Sequence, residues 1–345
     1  MKVTKQRPGL FVFLLVSAFI IATLISLSWG QIHIPFIQVA AFFCRMLHVP
    51  LLTEVIITPE QQAVLFYIRL PRTIVGLLVG AGLGTAGAVM QGLFSNPLAD
   101  PGIIGVSSGA SVGAVIAIAL GLTSVSLFYM PLFAFCGASL AMALVVFLSM
   151  RHGHISVMTL LLAGVVVGML LGAVTSGILT VLDEQKTQQY LFWTIGGLDY
   201  RRWEHVWMAA GPICGGITAM VLMARHLNVL VFGEIEAKAV GLPVVPLRLF
   251  LLMLASLTTA TGVCVSGNIG FVGLVVPHMM RMLIGPDHRS LLPASIIAGG
   301  TLLVICDTIG RVIFPAVEIR VGIMTALLGT PYFLYLLRKT QTREY

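Results

Sequence analysis

Residues 69–92 read RLPRTIVGLLVGAGLGTAGAVMQG, a stretch with no charge after its second arginine and a glycine on nearly every helical turn. A helix needs about 20 apolar residues to cross the hydrocarbon of a bilayer, so a span is predicted over 70–91. Working outward, the same reading recurs at 10–30, 107–122, 127–149, 157–182, 204–224, 249–266, 270–284, 291–311 and 322–337. The expected fold class is an all-α membrane protein with about ten transmembrane helices. Its 345 residues are read as one polytopic domain, 1–345.

Composition supports this reading. The chain is 58% hydrophobic and 10% charged, against about 25% charged in an ordinary soluble domain. Its formal charge of +7 comes from basic residues scattered between apolar segments, with no basic run or aromatic interleaving. That pattern excludes a nucleic-acid partner and fits a positive-inside bias. With the N-terminus in the cytoplasm, twelve of the twenty basic residues fall on the cytoplasmic side, and the C-terminus lies there too. The run after Lys2, Lys5 and Arg7 is long for a signal peptide and ends in Ser-Trp-Gly-Gln without a small-residue cleavage site, so a retained first span is expected. Cys44, Cys136, Cys214, Cys264 and Cys306 are far apart with no CxxC pair and read as small core residues.

Between Gly76 and Gly113 the glycines come with two X-Pro steps, Asn96-Pro97 and Asp100-Pro101, that must interrupt the helix. Small residues let helix backbones approach closely in lipid. Irregular backbone survives there only where protein or a water-filled cavity surrounds it, so close packing and pathway lining both stay open. The segment 225–248 differs in kind. Gly233 and Gly241 bracket a short helical run from Glu234 to Val240, with acidic residues at its start and Lys238 four residues after Glu234. It is read as a polar, ordered loop, either a solvated connector or a docking surface for a soluble partner.

Over nearly its whole length the chain resembles the FecCD or vitamin B12-type family, the permeases of type II ABC importers for iron-siderophores, haem and cobalamin. The resemblance is carried by Arg69-Leu-Pro-Arg72, Gly87-Ala-Val-Met-Gln-Gly92, Asn96-Pro-Leu-Ala-Asp-Pro-Gly102, Gly105-Val-Ser-Ser-Gly109, Gly270-Phe-Val-Gly-Leu-Val-Val-Pro-His278, Asp287-His-Arg289 and Val321-Gly-Ile-Met-Thr-Ala-Leu-Leu-Gly-Thr-Pro331, in that order and spacing. It implies the type II ABC importer permease fold in a bacterial cytoplasmic membrane. It further implies a second permease subunit in a homodimer, two cytoplasmic ATP-binding subunits and an extracytoplasmic substrate-binding protein.

The same resemblance assigns roles. Gly233, Glu234, Ile235, Glu236, Ala237, Lys238, Ala239, Val240 and Gly241 match the coupling helix that seats in the ATPase. Arg69, Arg72 and Arg311 match arginines that meet glutamates of the binding protein, so replacing Arg69 and Arg311 by Glu is expected to abolish transport while leaving insertion intact. Asn96, Leu98, Ser156 and Val157 match the cytoplasmic gate; apolar Val157 replaces a more hydroxylic pattern, so closure by dewetting is expected. An iron chelate, a ferric siderophore or haem, is the expected cargo, with cobalamin as the alternative.

No cofactor, resident metal or catalytic residue is expected. There is no G-x-x-x-x-G-K-[ST] loop, so ATP is left to a partner. His152 and His154 read as an interfacial turn, His278 as a packed residue that could touch substrate, and Asp307 with Arg311 one turn later as a structural ion pair. Two rival classes fit the residues less well. An ion-coupled secondary transporter usually carries more intramembrane carboxylates. An intramembrane transferase needs clustered acids, which the thirteen acidic residues do not form.

Overall fold

A computed structural model describes residues 8–151, 154–155, 157–314 and 317–341. Its helices are α1 (Pro8–Ser28), α2 (Phe36–Met46), α3 (Pro59–Leu93), α4 (Val106–Ala119), α5 (Tyr129–Ser149), α6 (Val157–Leu179), α7 (Glu184–Ile195), α8 (Trp203–Leu222), α9 (Ala224–Leu230), α10 (Glu234–Ala239), α11 (Val244–Ser266), α12 (Val272–Ile284), α13 (His288–Val312) and α14 (Val321–Gln341). Single turns at Leu122–Val125 and Pro101–Ile104 complete the helical structure, and Met150–Arg151 pairs antiparallel with His154–Ile155 in the only strand pair among the described residues.

Each of the ten expected spans has its helix. Among the described residues, α1, α3, α5, α6, α8, α11 and α13 are long and apolar enough to cross a membrane, whereas α4, α12 and the apolar part of α14 are shorter. The span reading did not find α2 and α7, at 11 and 12 residues, because neither is long enough to cross. Neither did it show that α3 starts at Pro59. There a capping box closes on Thr58 and Gln61, and Val64–Arg69 winds as a π-helix before the regular helix resumes at Leu70.

The helix 70–93 is the hub of the bundle, surrounded by α8, α11, α12 and α13. Its glycines explain how. A Cβ on Gly80 would run into the Gly299 carbonyl of α13, and one on Gly87 into the Gly273 carbonyl of α12. Backbone therefore meets backbone on two sides, and close packing, rather than pathway lining, accounts for these glycines. A second cluster joins α4 to α5 and α6. By contrast α1 and α6 leave most of their apolar side chains on the outside, where lipid or another subunit covers them. Cys264 and Cys306 are buried as expected, but Cys136 and Cys214 lie exposed on outward helix faces: apolar context in a membrane chain marks the lipid side as readily as the core.

Candidate functional site

One end of the bundle is closed by three guanidinium groups. Arg72 of α3 reaches α13, where its Nε lies 3.1 and 3.0 Å from the two Asp307 oxygens and its Nη2 2.8 Å from Asp307 Oδ1. Its Nη1 holds Glu318 at 2.8 Å. Arg311 donates to the Ser26 carbonyl and hydroxyl at 3.0 and 2.9 Å and pairs with Asp307 at 3.2 Å. Arg69 donates to the Leu27 and Ser28 carbonyls at 2.7 and 2.8 Å, and to that of Ile32. The last carbonyls of a helix lack intrahelical donors, so Arg69 and Arg311 complete the end of α1.

The sequence reading puts Arg69, Arg72 and Arg311 on a docking surface, yet they are 3%, 8% and 5% exposed and their charged ends point inward. A guanidinium among apolar helices is stabilised by carboxylates and orphan carbonyls that it can reach. Here those acceptors come from 26–32 and 307–318, too far along the chain for local spacing to reveal. The Asp307–Arg311 pair is present as predicted, but Arg72 is the closer partner of Asp307.

The opposite end carries the polar loop. α10 is six residues long, flanked by Gly233 at φ 124° and Gly241 at φ 79°, conformations that L side chains rarely adopt. Glu234 joins Lys238 at 2.7 Å and Arg248 of α11 at 3.7 Å. Ala237 is fully buried beneath the helix and its carbonyl accepts from Leu242 N–H at 3.1 Å. On the outside stand Phe232, Ile235 and Val240, 77%, 81% and 67% exposed. The short helix, pinned beneath and apolar above amid charged neighbours, forms a peg at this end of the bundle.

The peg shares its end of the bundle with the N-terminal end of α1 and the C-terminal end of α14. α1 finishes, and α14 begins, at the arginine end. It also shares that end with the segment expected to gate. Asn96 Oδ1 accepts from Leu98 N–H at 2.9 Å, and Leu98 is exposed. Asp100 caps the Pro101–Ile104 turn through Gly102 N–H at 2.7 Å. That turn rests on α6, where a Cβ on Gly164 would meet the Ile103 carbonyl. Ser156, like His152, lies outside the described residues, and of Val157 only its place at the start of α6 is described.

Known proteins share this architecture. The profile of the FecCD transport family matches residues 18–339. The chain belongs to the FecCD transport family. It is 46% identical over 286 residues to the cobalamin import permease BtuC of Halobacterium salinarum, covering 83% of this chain and 76% of that protein. It is 41% identical over 280 residues to the hemin transport permease HmuU of Yersinia pestis, covering 80% and 84%. A solved inward-facing structure of a metal-chelate type ABC transporter superposes with a TM-score of 0.84 at 34% identity, covering 96% of this chain and 99% of that one. This FecCD chain is thus a multi-span membrane permease subunit of an ABC importer and not an enzyme; ATP is hydrolysed by a separate subunit.

Two features of this FecCD permease escaped the sequence. Glu318 gave no signal as a partner of Arg72. Nor does the motif Asp287-His288-Arg289 show in the sequence that it forms a junction with Asn228 next to the peg. Asn228 Nδ2 donates to Asp287 Oδ1 at 2.6 Å, and with Arg289 N–H at 2.9 Å this holds the Asp287 carboxyl below the usual aspartate range.

Proposed function

We propose that this chain is the membrane half of an importer for a metal chelate, with an iron complex, ferric siderophore or haem, as its cargo. Two copies enclose the path, ATP-binding subunits grip the peg from the cytoplasm, and a substrate-binding protein delivers cargo at the arginine end. Both chain termini then lie on the cytoplasmic side, with the loop around 225–248 as the coupling element of a single permease unit. Family membership together with the match to a metal-chelate transporter carries this reading.

The outward Phe232, Ile235 and Val240 support the peg's role, because exposed apolar groups on a water-facing loop are stabilised when a partner covers them. Exposed Leu98 suits a gate contact between subunits, shared with Asn96, Ser156 and Val157. At the arginine end, Arg69, Arg72 and Arg311 act as buried ties that fix the shape of the docking surface, and neighbouring exposed groups make the contact. ATP-driven closure of the partner subunits shifts the peg, and alternating access follows from binding energy that differs between the two states.

Cobalamin is the second reading, favoured by the similarity to the Halobacterium salinarum permease. Uptake by the complete transporter of radiolabelled ferric siderophore, haemin and cyanocobalamin separates the two. Saturable uptake of an iron complex supports the first reading, and uptake confined to cyanocobalamin replaces it with the second.

A further inference from the structure

At the peg end three helices meet around one buried imidazole. His288 opens α13, and both its backbone N–H and its Nδ1 lie on Asn228 Oδ1 of α9, at 2.9 and 2.8 Å. Asn228 Nδ2 is turned to the Asp287 carboxylate at 2.6 Å, which fixes the amide orientation and makes Nδ1 of the imidazole the protonated nitrogen. The other nitrogen, Nε2, is buried without a hydrogen-bond partner. It faces the last turn of α3 so closely that a Cβ on Gly92 would stand 2.7 Å from it. The adjacent residue, Gln91, accepts from Arg281 at 2.8 Å and donates to the Leu274 carbonyl at 3.1 Å, both on α12. Asn228 therefore holds α13, the imidazole bears on α3, and Gln91 ties α3 to α12.

The position of this assembly gives it a use. α9 ends at Leu230 and the peg begins at Glu234, so only Val231, Phe232 and Gly233 separate the helix that carries Asn228 from the peg. Glu234 also pairs with Arg248 of α11 at 3.7 Å, through a partly exposed carboxylate. Displacement passes between elements through packed side chains and hydrogen-bond networks, and here directional hydrogen bonds and a ring wedged against backbone supply both. We infer that Asn228 and His288 form the joint through which movement of the peg reaches α3, α12 and α13, which makes them positioning residues for the transport step. The inference rests on the reading of Glu234–Ala239 as the coupling peg.

The test uses the complete transporter, permease with its ATP-binding subunits and binding protein, in proteoliposomes with a ferric siderophore, haemin and cyanocobalamin as parallel probes. ATP hydrolysis and uptake are measured on the same preparation. Asn228→Leu keeps the side-chain size and removes its hydrogen bonds. His288→Asn keeps a donor for Asn228 and removes the contact with Gly92. The joint predicts that either variant assembles and hydrolyses ATP, while ATP consumed per molecule transported rises about five- to tenfold. A ratio equal to wild type, whether both rates persist or both fall together, overturns the joint, and so does failure of both variants to assemble. If wild type itself shows no ATP-dependent uptake of any of the three probes, the importer reading fails first, and the joint with it.

Discussion

Asp307 is the residue on which the arginine end turns, because two guanidinium groups share it inside the bundle. Removing one partner of a buried ion pair leaves an unmatched charge and costs about 3–5 kcal/mol. Asp307→Ala is therefore expected to lower the thermal unfolding temperature of the detergent-solubilised protein sharply. Glu318, whose side chain is 32% exposed, is screened by water, so Glu318→Gln should cost no more than about 1 kcal/mol. Equal losses in the two variants would contradict the burial hierarchy. The same geometry revises what charge reversal does. Arg69→Glu with Arg311→Glu would place carboxylates against the carbonyls of Leu27, Ser28 and Ser26, so the double variant should accumulate poorly in the membrane rather than insert normally and fail only in transport.

Helices make their own claims. Where backbone touches backbone, as at Gly80 with Gly299 and Gly87 with Gly273, an added methyl has no flexible neighbour to displace, and overpacking costs about 1–3 kcal/mol. Gly80→Ala and Gly87→Ala should each lower thermal stability in detergent. Gly211→Ala, with nothing within 4 Å of its Cβ position, should leave stability unchanged or raise it slightly, since alanine favours helix by about 1 kcal/mol; stability equal across all three would remove the packing argument. At the peg the expectation is different. Ile235→Glu changes an exposed side chain, and such changes stay within about 0.5 kcal/mol, so folding should persist while copurification of the ATP-binding subunit is lost. Retained copurification would place the partner elsewhere. Spans were legible at this scale because length and hydropathy are local properties. The π-wound entry to α3 and the short α2 were not, since each depends on what the rest of the bundle lays against it.

For the molecule as a whole, the order and spacing of motifs from Arg69-Leu-Pro-Arg72 to Val321–Pro331 were enough to read the fold and the transporter class, and the family match bears out both. The direction of the arginines was not readable. A basic residue at the end of an apolar run looks the same whether it faces a partner or folds inward, and only the distant acceptors at Leu27, Asp307 and Glu318 decide. The junction of Asn228 with His288 spans 60 residues and likewise leaves no local trace. On the proposed reading these helices form a conduit with no engine of their own, driven through the peg. Reconstituting the purified chain in proteoliposomes with and without its ATP-binding subunits, and following uptake of the metal chelate that the complete transporter accepts, tests it most directly. Uptake is expected only when the ATP-binding subunits, the binding protein and hydrolysable ATP are all present, and vanadate should abolish it; uptake by the chain alone, indifferent to ATP, would refute the reading.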